Sequence, residues 1–354
     1  MSGSKIQTAE IVLPSGNINE TVSFFSDELG FQLESIYPAD NPVEAIMYGF
    51  GLRIHFKKDD SIHSGTISIT GDKSKNLTAP NGTLIQFHEP NGSYILPEGN
   101  QSIQYSRLKD GQWKIGRAGM EYRDLIPDRY GGRFIASHIR ILKAGHVSDY
   151  VHFHKIRFQM IFCNKGWAKL IYEDQGSPFI FQAGDCVLQP PEIRHQVLEN
   201  SDGFEVVEIS SPASHMTCTD PKLNLPTGET KPDRNYNGQN FIHHIAKKAK
   251  WRPCQYPGFE KQDFGFYPAT NGLACVSVVR SLEENKSTLN TQNGEFHFIF
   301  LINGKLTIHI DKKNTFSLNT GDSITIPGGM DYSMIECPIG SEFLEILFLR
   351  DAIK

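Results

Sequence analysis

The chain lacks any apolar run approaching the roughly 18 residues that a membrane-spanning helix needs. No membrane association is therefore expected. Its opening residues, Met-Ser-Gly-Ser-Lys-Ile, carry no apolar signal core. Cysteine is scarce: the 6 residues, at 163, 186, 218, 254, 275 and 337, form no Cys-x-x-Cys pair. A reducing, cytoplasmic compartment suits that pattern better than a disulfide framework. Basic residues do not dominate. Lys and Arg number 35 against 40 Asp and Glu, a net charge of -5, with no Lys/Arg stripe. Lys247-Lys248-Ala-Lys250 is short and reads as a solvated helix end. Nucleic acid is thereby excluded as a partner. Long helical periods are missing as well, whereas 354 residues suffice for two or three domains with proper cores.

The most informative feature present is His152-Phe-His154, with Gln159 five residues on and His195 a further 36. Strand side chains repeat every two residues, so both imidazoles of His-x-His face the same way. The third histidine ends Gly184-Asp-Cys-Val-Leu-Gln-Pro-Pro-Glu-Ile-Arg-His195: an acidic turn, an apolar strand, a proline stop, then an imidazole. Three neutral imidazoles converging at one point would bind a divalent first-row metal.

A long repeat underlies the second two-thirds. Trp113, Gly132-Arg-Phe-Ile-Ala-Ser-His-Ile-Arg140, Phe158–Gly166 and Gly184-Asp185 recur as Trp251, Gly272–Arg280, His297–Gly304 and Gly321-Asp322, about 138 residues later. A period of that length means duplicated domains, not a solenoid. Short apolar strands between Gly, Asn, Asp and Pro turns predict an all-β sandwich or barrel for each copy. Residues 213–250 read as a connection that wraps over the first copy, with one helix expected near Asn240–Lys248. Residues 1–100 differ. A strand at Ala9–Pro14, an amphipathic helix at Asn19–Gly30 and three further strands give the order βαβββ, with Asn17 or Asn19 as cap and Gly30 as stop.

Gly145, His152, His154, Gly166, Gly184, Pro190 and His195 together resemble the two motifs of the cupin family. Residues 113–212 thus resemble a metal-binding cupin barrel and 251–354 a second, degenerate one. The resemblance implies a mainly β chain, two tandem jelly-roll (double-stranded β-helix) barrels. Thr21–Phe31 and Pro80–Gln86 resemble the glyoxalase and extradiol-dioxygenase (vicinal oxygen chelate) superfamily, which implies a small α+β module at 1–100. Such folds pair two βαβββ modules, and this chain offers about one and a half, so no independent metal chemistry is expected there.

By the cupin resemblance His152, His154 and His195 are the metal ligands. Gln159 stands at the usual Glu position, either as a fourth ligand or as a hydrogen-bonding catalytic group. In the second copy the equivalent positions are Asn290, Gln292, His297 and Tyr332, a poor donor set for a first-row metal. Arg140, Arg157, Gln189 and Tyr150 are the substrate-binding candidates. An inward arginine would hold an anionic substrate bidentately. The expected cofactor is one divalent metal, Fe(II) first, with Zn(II), Mn(II) or Ni(II) as alternatives. The leading functional reading is a dioxygenase acting on a small, anionic, enolisable or aromatic molecule. Beside it stand a non-redox isomerase or lyase and a ligand-binding bicupin without turnover. The discriminating feature is an internal base beside the metal, and none is legible. Oligomeric state, including a homodimer, is left open.

Overall fold

A computed structural model describes residues 9–59, 65–71, 75–88, 94–284, 289–311 and 313–349. The opening hexapeptide lies outside them. The chain forms two compact units, 1–93 and 94–354. No helix among the described residues is long and apolar enough to cross a membrane.

In the first unit the expected order holds. Helix Ile18–Asp27 is capped by the Asn17 side chain, which accepts from the Glu20 amide. Gly30 follows at a positive φ of 78°, the conformation that stops a helix at least cost with glycine. The helix buries Phe25 edge-on against Phe31 and Phe56. They lie over a four-stranded sheet ordered Ile11–Ser15, Leu52–Lys58, Glu44–Gly49, Gln32–Tyr37, whose first pair is parallel. A smaller sheet joins Thr66–Thr70, Leu84–His88 and Leu77–Thr78, and its first pair is also parallel.

The second unit holds both copies of the repeat, each built from two facing sheets. In the first copy a seven-stranded sheet, centred on Phe158–Lys165, Phe204–Ser211 and Ile135–Ile141, faces one formed by Phe179–Gln182, Trp167–Tyr172, His195–Asn200, His152–Lys155 and Met216–Thr219. In the second, the sheet around Phe296–Asn303, Glu342–Phe348 and Ala274–Ser281 faces a four-stranded one. The seven-stranded sheets are buried on both sides. Phe158, Met160 and Phe162 point to the other copy, as do Phe296, Phe298 and Phe300, and together they form one core. Phe134 stacks on Phe296 at 4.2 Å between ring centroids. The alternate residue Cys163 enters the first copy's own interior instead. Strands buried on both faces read as continuous apolar runs, which is why these segments show little alternation.

The helix expected near Asn240–Lys248 is not present. The connection 213–250 contains no α-helix: it supplies strands Met216–Thr219 and Ile242–His244, which join the two sheets of the first copy, then a single 3-10 turn at Ala246–Lys248. Residues Tyr105–Ser106, which precede the first copy, extend the seven-stranded sheet of the second copy. Strands Ile242–His244 and Tyr105–Ser106 are each held by a Gly-Asp corner. Asp185 accepts from the Ala246 amide at 3.0 Å and Asp322 from the Leu108 amide at 2.7 Å. The glycines before them, at φ 90° and 86°, occupy conformations that a Cβ would strain.

Arg157 was expected to bind substrate. It lies instead in the seam between the copies, where its guanidinium meets the Glu295 carboxylate at 3.3 Å, and Arg133 Nε donates to the same carboxylate at 2.5 Å. Both Arg157 and Glu295 are buried. Removing one partner of a buried pair leaves charge uncompensated. Glu295→Ala is therefore expected to cost about 3 kcal/mol of stability, read as a lowered urea midpoint. An unchanged midpoint would remove this cluster from the forces that hold the copies together.

Candidate metal centre and its cavity

The three histidines meet as the strand register requires. His152 and His154 share one face of strand His152–Lys155, and His195, first residue of strand His195–Asn200, is the Cα partner of His152. Ring centroids lie 4.2 Å apart for His152 and His195, and 5.3 Å for each pair with His154. One nitrogen from each lies within 4.8 Å of the others. Each Nδ1 has an outer partner: the Tyr150 carbonyl at 2.8 Å for His152, the Ile193 carbonyl at 3.0 Å for His195 and the Thr217 hydroxyl at 2.9 Å for His154. Such hydrogen bonds fix ring orientation and turn the Nε2 lone pairs inward. In this structure the Nε2 of His152 accepts from Arg117 at 3.1 Å and that of His195 from the Gln189 amide at 3.0 Å. Burial lowers the pKa of all three: His195 well below its ordinary value, His154 to about 2, and His152 with the help of the Arg117 charge. Neutral imidazoles with inward lone pairs are a fitting donor set for a first-row divalent cation.

A cavity of about 310 Å³ opens beside the cluster. Its polar end is tied by one hydrogen-bond chain. Tyr172 donates to the Gln189 carbonyl at 2.7 Å, the Gln189 amide donates to the Gln159 carbonyl at 2.9 Å, and the Gln159 amide donates to Glu208 at 3.1 Å. His195 Nδ1 donates to the Ile193 carbonyl, so its Nε2 lone pair accepts from Gln189, and this orients both amides of the chain. The Gln159 oxygen is engaged by the same Gln189 nitrogen that lies 3.0 Å from His195 Nε2, so Gln159 joins the imidazole cluster through Gln189.

Other sequence candidates divide. Gln189 lines the cavity. Arg140 does not: it donates to Glu121 at 2.6 Å and its guanidinium lies 3.9 Å from the Trp113 ring centroid, an arrangement that Arg280 repeats with Glu260 and Trp251. That shared pair accounts for the repetition of both arginines. Tyr150 contributes its carbonyl to His152, while its side chain is exposed. Arg117, Glu208, Tyr172 and His215 were missed, and all line the cavity. Glu208 had a readable signal, a lone carboxylate alternating with Phe204 and Val206 along strand Phe204–Ser211. Arg117 sits on a 3-10 turn and His215 on the supposed connection, and neither carries one.

The second copy uses its equivalent space differently. His297 Nε2 meets Glu345 at 3.0 Å, Tyr256 donates to that carboxylate at 2.5 Å, and the Tyr256 and Tyr332 hydroxyls lie 2.9 Å apart. Burial by itself would raise the Glu345 pKa, but hydrogen bonding and the His297 charge outweigh it and hold the carboxyl below its usual range. Gln292 turns to the Gly294 backbone.

Unfolded imidazoles protonate below about pH 6.5, whereas the folded trio resists protonation. The unfolded state then binds more protons, so stability rises with pH and is lost as pH falls below the unfolded imidazole range. The urea midpoint of metal-free protein is expected to drop from pH 7 to pH 5, and His154→Leu to flatten that slope. A wild-type slope in the variant would contradict the assignment.

No protein-family model matches the sequence, and no curated protein matches it. Solved structures do. The oxalate decarboxylase of Lactobacillus farciminis, in its formate complex, is similar at a TM-score of 0.52 and 15% identity, over 72% of this chain and 88% of that one. An oxalate decarboxylase of Bacillus subtilis, studied for its Mn(II) centres, gives 0.52 at 14% identity over 74% and 80%. Its structure at pH 4.6 gives 0.51 at 15% over 74% and 79%. At such identity the likeness establishes the fold: this chain is mainly β and carries the bicupin architecture, two tandem cupin folds.

Proposed function

We propose that the protein is a metal-dependent cupin enzyme acting on a small anionic substrate by proton transfer, as a lyase or isomerase. One observation carries the reading: the Glu208 carboxylate lines the same largely apolar cavity as three convergent imidazoles and is linked to them through Gln159 and Gln189. This is the internal base that sequence analysis did not find. His152, His154 and His195 would hold the ion. Mn(II), named for the similar Bacillus subtilis enzyme, stands beside Fe(II) as the candidate metal. A bound divalent cation supplies a Lewis acid that polarises a coordinated oxygen.

The chain's own groups do the rest. Glu208 Oε1 accepts from Gln159 at 3.1 Å and from the Ser210 hydroxyl at 3.2 Å, which fixes the carboxylate. Oε2 makes no hydrogen bond among the described residues, and this is the atom that takes and returns the proton. Arg117, anchored by Asp149 at 2.8 Å, offsets substrate charge at the polar end. The apolar wall excludes water and so strengthens both interactions. A second reading, oxygenase chemistry, is favoured by the wholly neutral imidazole set, which leaves a metal's charge and open positions to substrate and O2. The glyoxalase-like likeness of the N-terminal unit rests on its sequence and its βαβββ order, and its proposed role is structural.

His154→Ala should lower bound metal far below one ion per chain, measured by elemental analysis. Glu208→Gln should retain the metal yet lose turnover by about a hundredfold or more. Product formation under nitrogen supports the proton-transfer reading. Strict dependence on O2, with uptake at an oxygen electrode, would replace it with the oxygenase.

A further inference from the structure

The cavity is layered, and the layers describe a ligand. Inward residues sit two apart along each strand, a step of about 7 Å. Strand Trp167–Tyr172 presents Tyr172 and then Leu170; its neighbour His195–Asn200 presents His195 and then Val197, with Tyr172 paired to His195 and Leu170 to Val197. Strand Phe204–Ser211 presents Glu208 and then Val206. Each of these three strands thus passes from a polar tier at the metal end to an apolar tier one step away. Arg117 belongs to the polar tier through its contact with His152. Ile139 and the aromatic rings of Phe181 and Phe204 line the cavity with the apolar tier. In the second copy the position equivalent to Val206 is filled by Phe343, which is fully buried.

Resting on the function proposed above, we infer that the substrate is a monocarboxylate carrying an apolar body of about phenyl-propanoid bulk. The carboxylate lies at Arg117 and the metal end, and the body fills the tier formed by Leu170, Val197 and Val206. Size supports this. A dry apolar cavity of about 150 Å³ accommodates benzene, and the present cavity is about 310 Å³, room for a ring and a short acid chain. Oxalate has two carbons and no apolar surface, and would leave the apolar tier without a partner. The 7 Å step between tiers matches a linker of two or three carbons between carboxylate and ring.

Titration calorimetry of the full chain tests the inference with 3-phenylpropionate, phenylpyruvate and oxalate on Zn(II)-loaded protein, and with neutral 3-phenylpropanol on metal-free protein. Both phenyl acids are expected to bind more tightly than oxalate by about tenfold or more, and phenylpropanol to bind without metal. Val206→Phe, which copies the second unit's filling residue, should weaken the phenyl ligands about tenfold and leave oxalate unchanged. Val206→Leu, a gentler change, should weaken them in the same direction. Arg117→Met should weaken the acids and spare phenylpropanol. Oxalate binding as tightly as the phenyl acids, or phenyl affinity indifferent to both Val206 variants, overturns the inference. Failure to load metal, with phenylpropanol still bound and still sensitive to Val206, would defeat the metal-dependent reading alone and uphold the apolar tier.

Discussion

The aromatic seam between the two copies is the constraint on which the rest depends. Phe158, Met160 and Phe162 on one side and Phe296, Phe298 and Phe300 on the other form a single core. Each seven-stranded sheet is therefore buried on both faces. Its alternate residues, Gln159 among them, are committed to the copy's own interior by the two-residue period. Burial at the seam thus sets the register that aims Gln159 and Glu208 at the cavity. A one-residue slip would exchange seam and cavity faces at once. The Arg133–Glu295–Arg157 cluster lies in the same seam and adds charge complementarity to apolar packing.

Within the first copy, a glutamine occupies the acidic position of the motif and a carboxylate comes from the adjacent strand instead. That carboxylate is linked to the imidazoles through Gln159 and Gln189. The second copy pairs His297 with Glu345 at the equivalent two positions and closes them with Tyr256 and Tyr332 hydroxyls. One architecture therefore supports an open, hydrogen-bonded acid in one copy and a sealed ionic cluster in the other. The difference lies in side chains, not in topology.

Local signals were legible because they depend on period and turn chemistry. The His-x-His alternation, the Gly-Asp corners, the capped helix Ile18–Asp27 and the long repeat all follow from residues close together in sequence. Arg140 and Arg157 show where such reading stops. Both are cations near the motif, yet one stacks on Trp113 and the other crosses to Glu295, because partners far along the chain decide where a long side chain rests. Glu208 could have been recognised as a charge inside an apolar alternation.

The sequence by itself determined the β architecture, its duplication and the three-histidine cluster, since side-chain period and turn residues act over a few positions. Tertiary structure alone decided which strands complete each sheet. It brought Tyr105–Ser106 to the second copy and Met216–Thr219 to the first. It also placed Arg117 and His215 at the cavity and tied the Gln159 oxygen to Gln189. Each of these depends on a partner distant in sequence, and only packing brings such partners within hydrogen-bonding range.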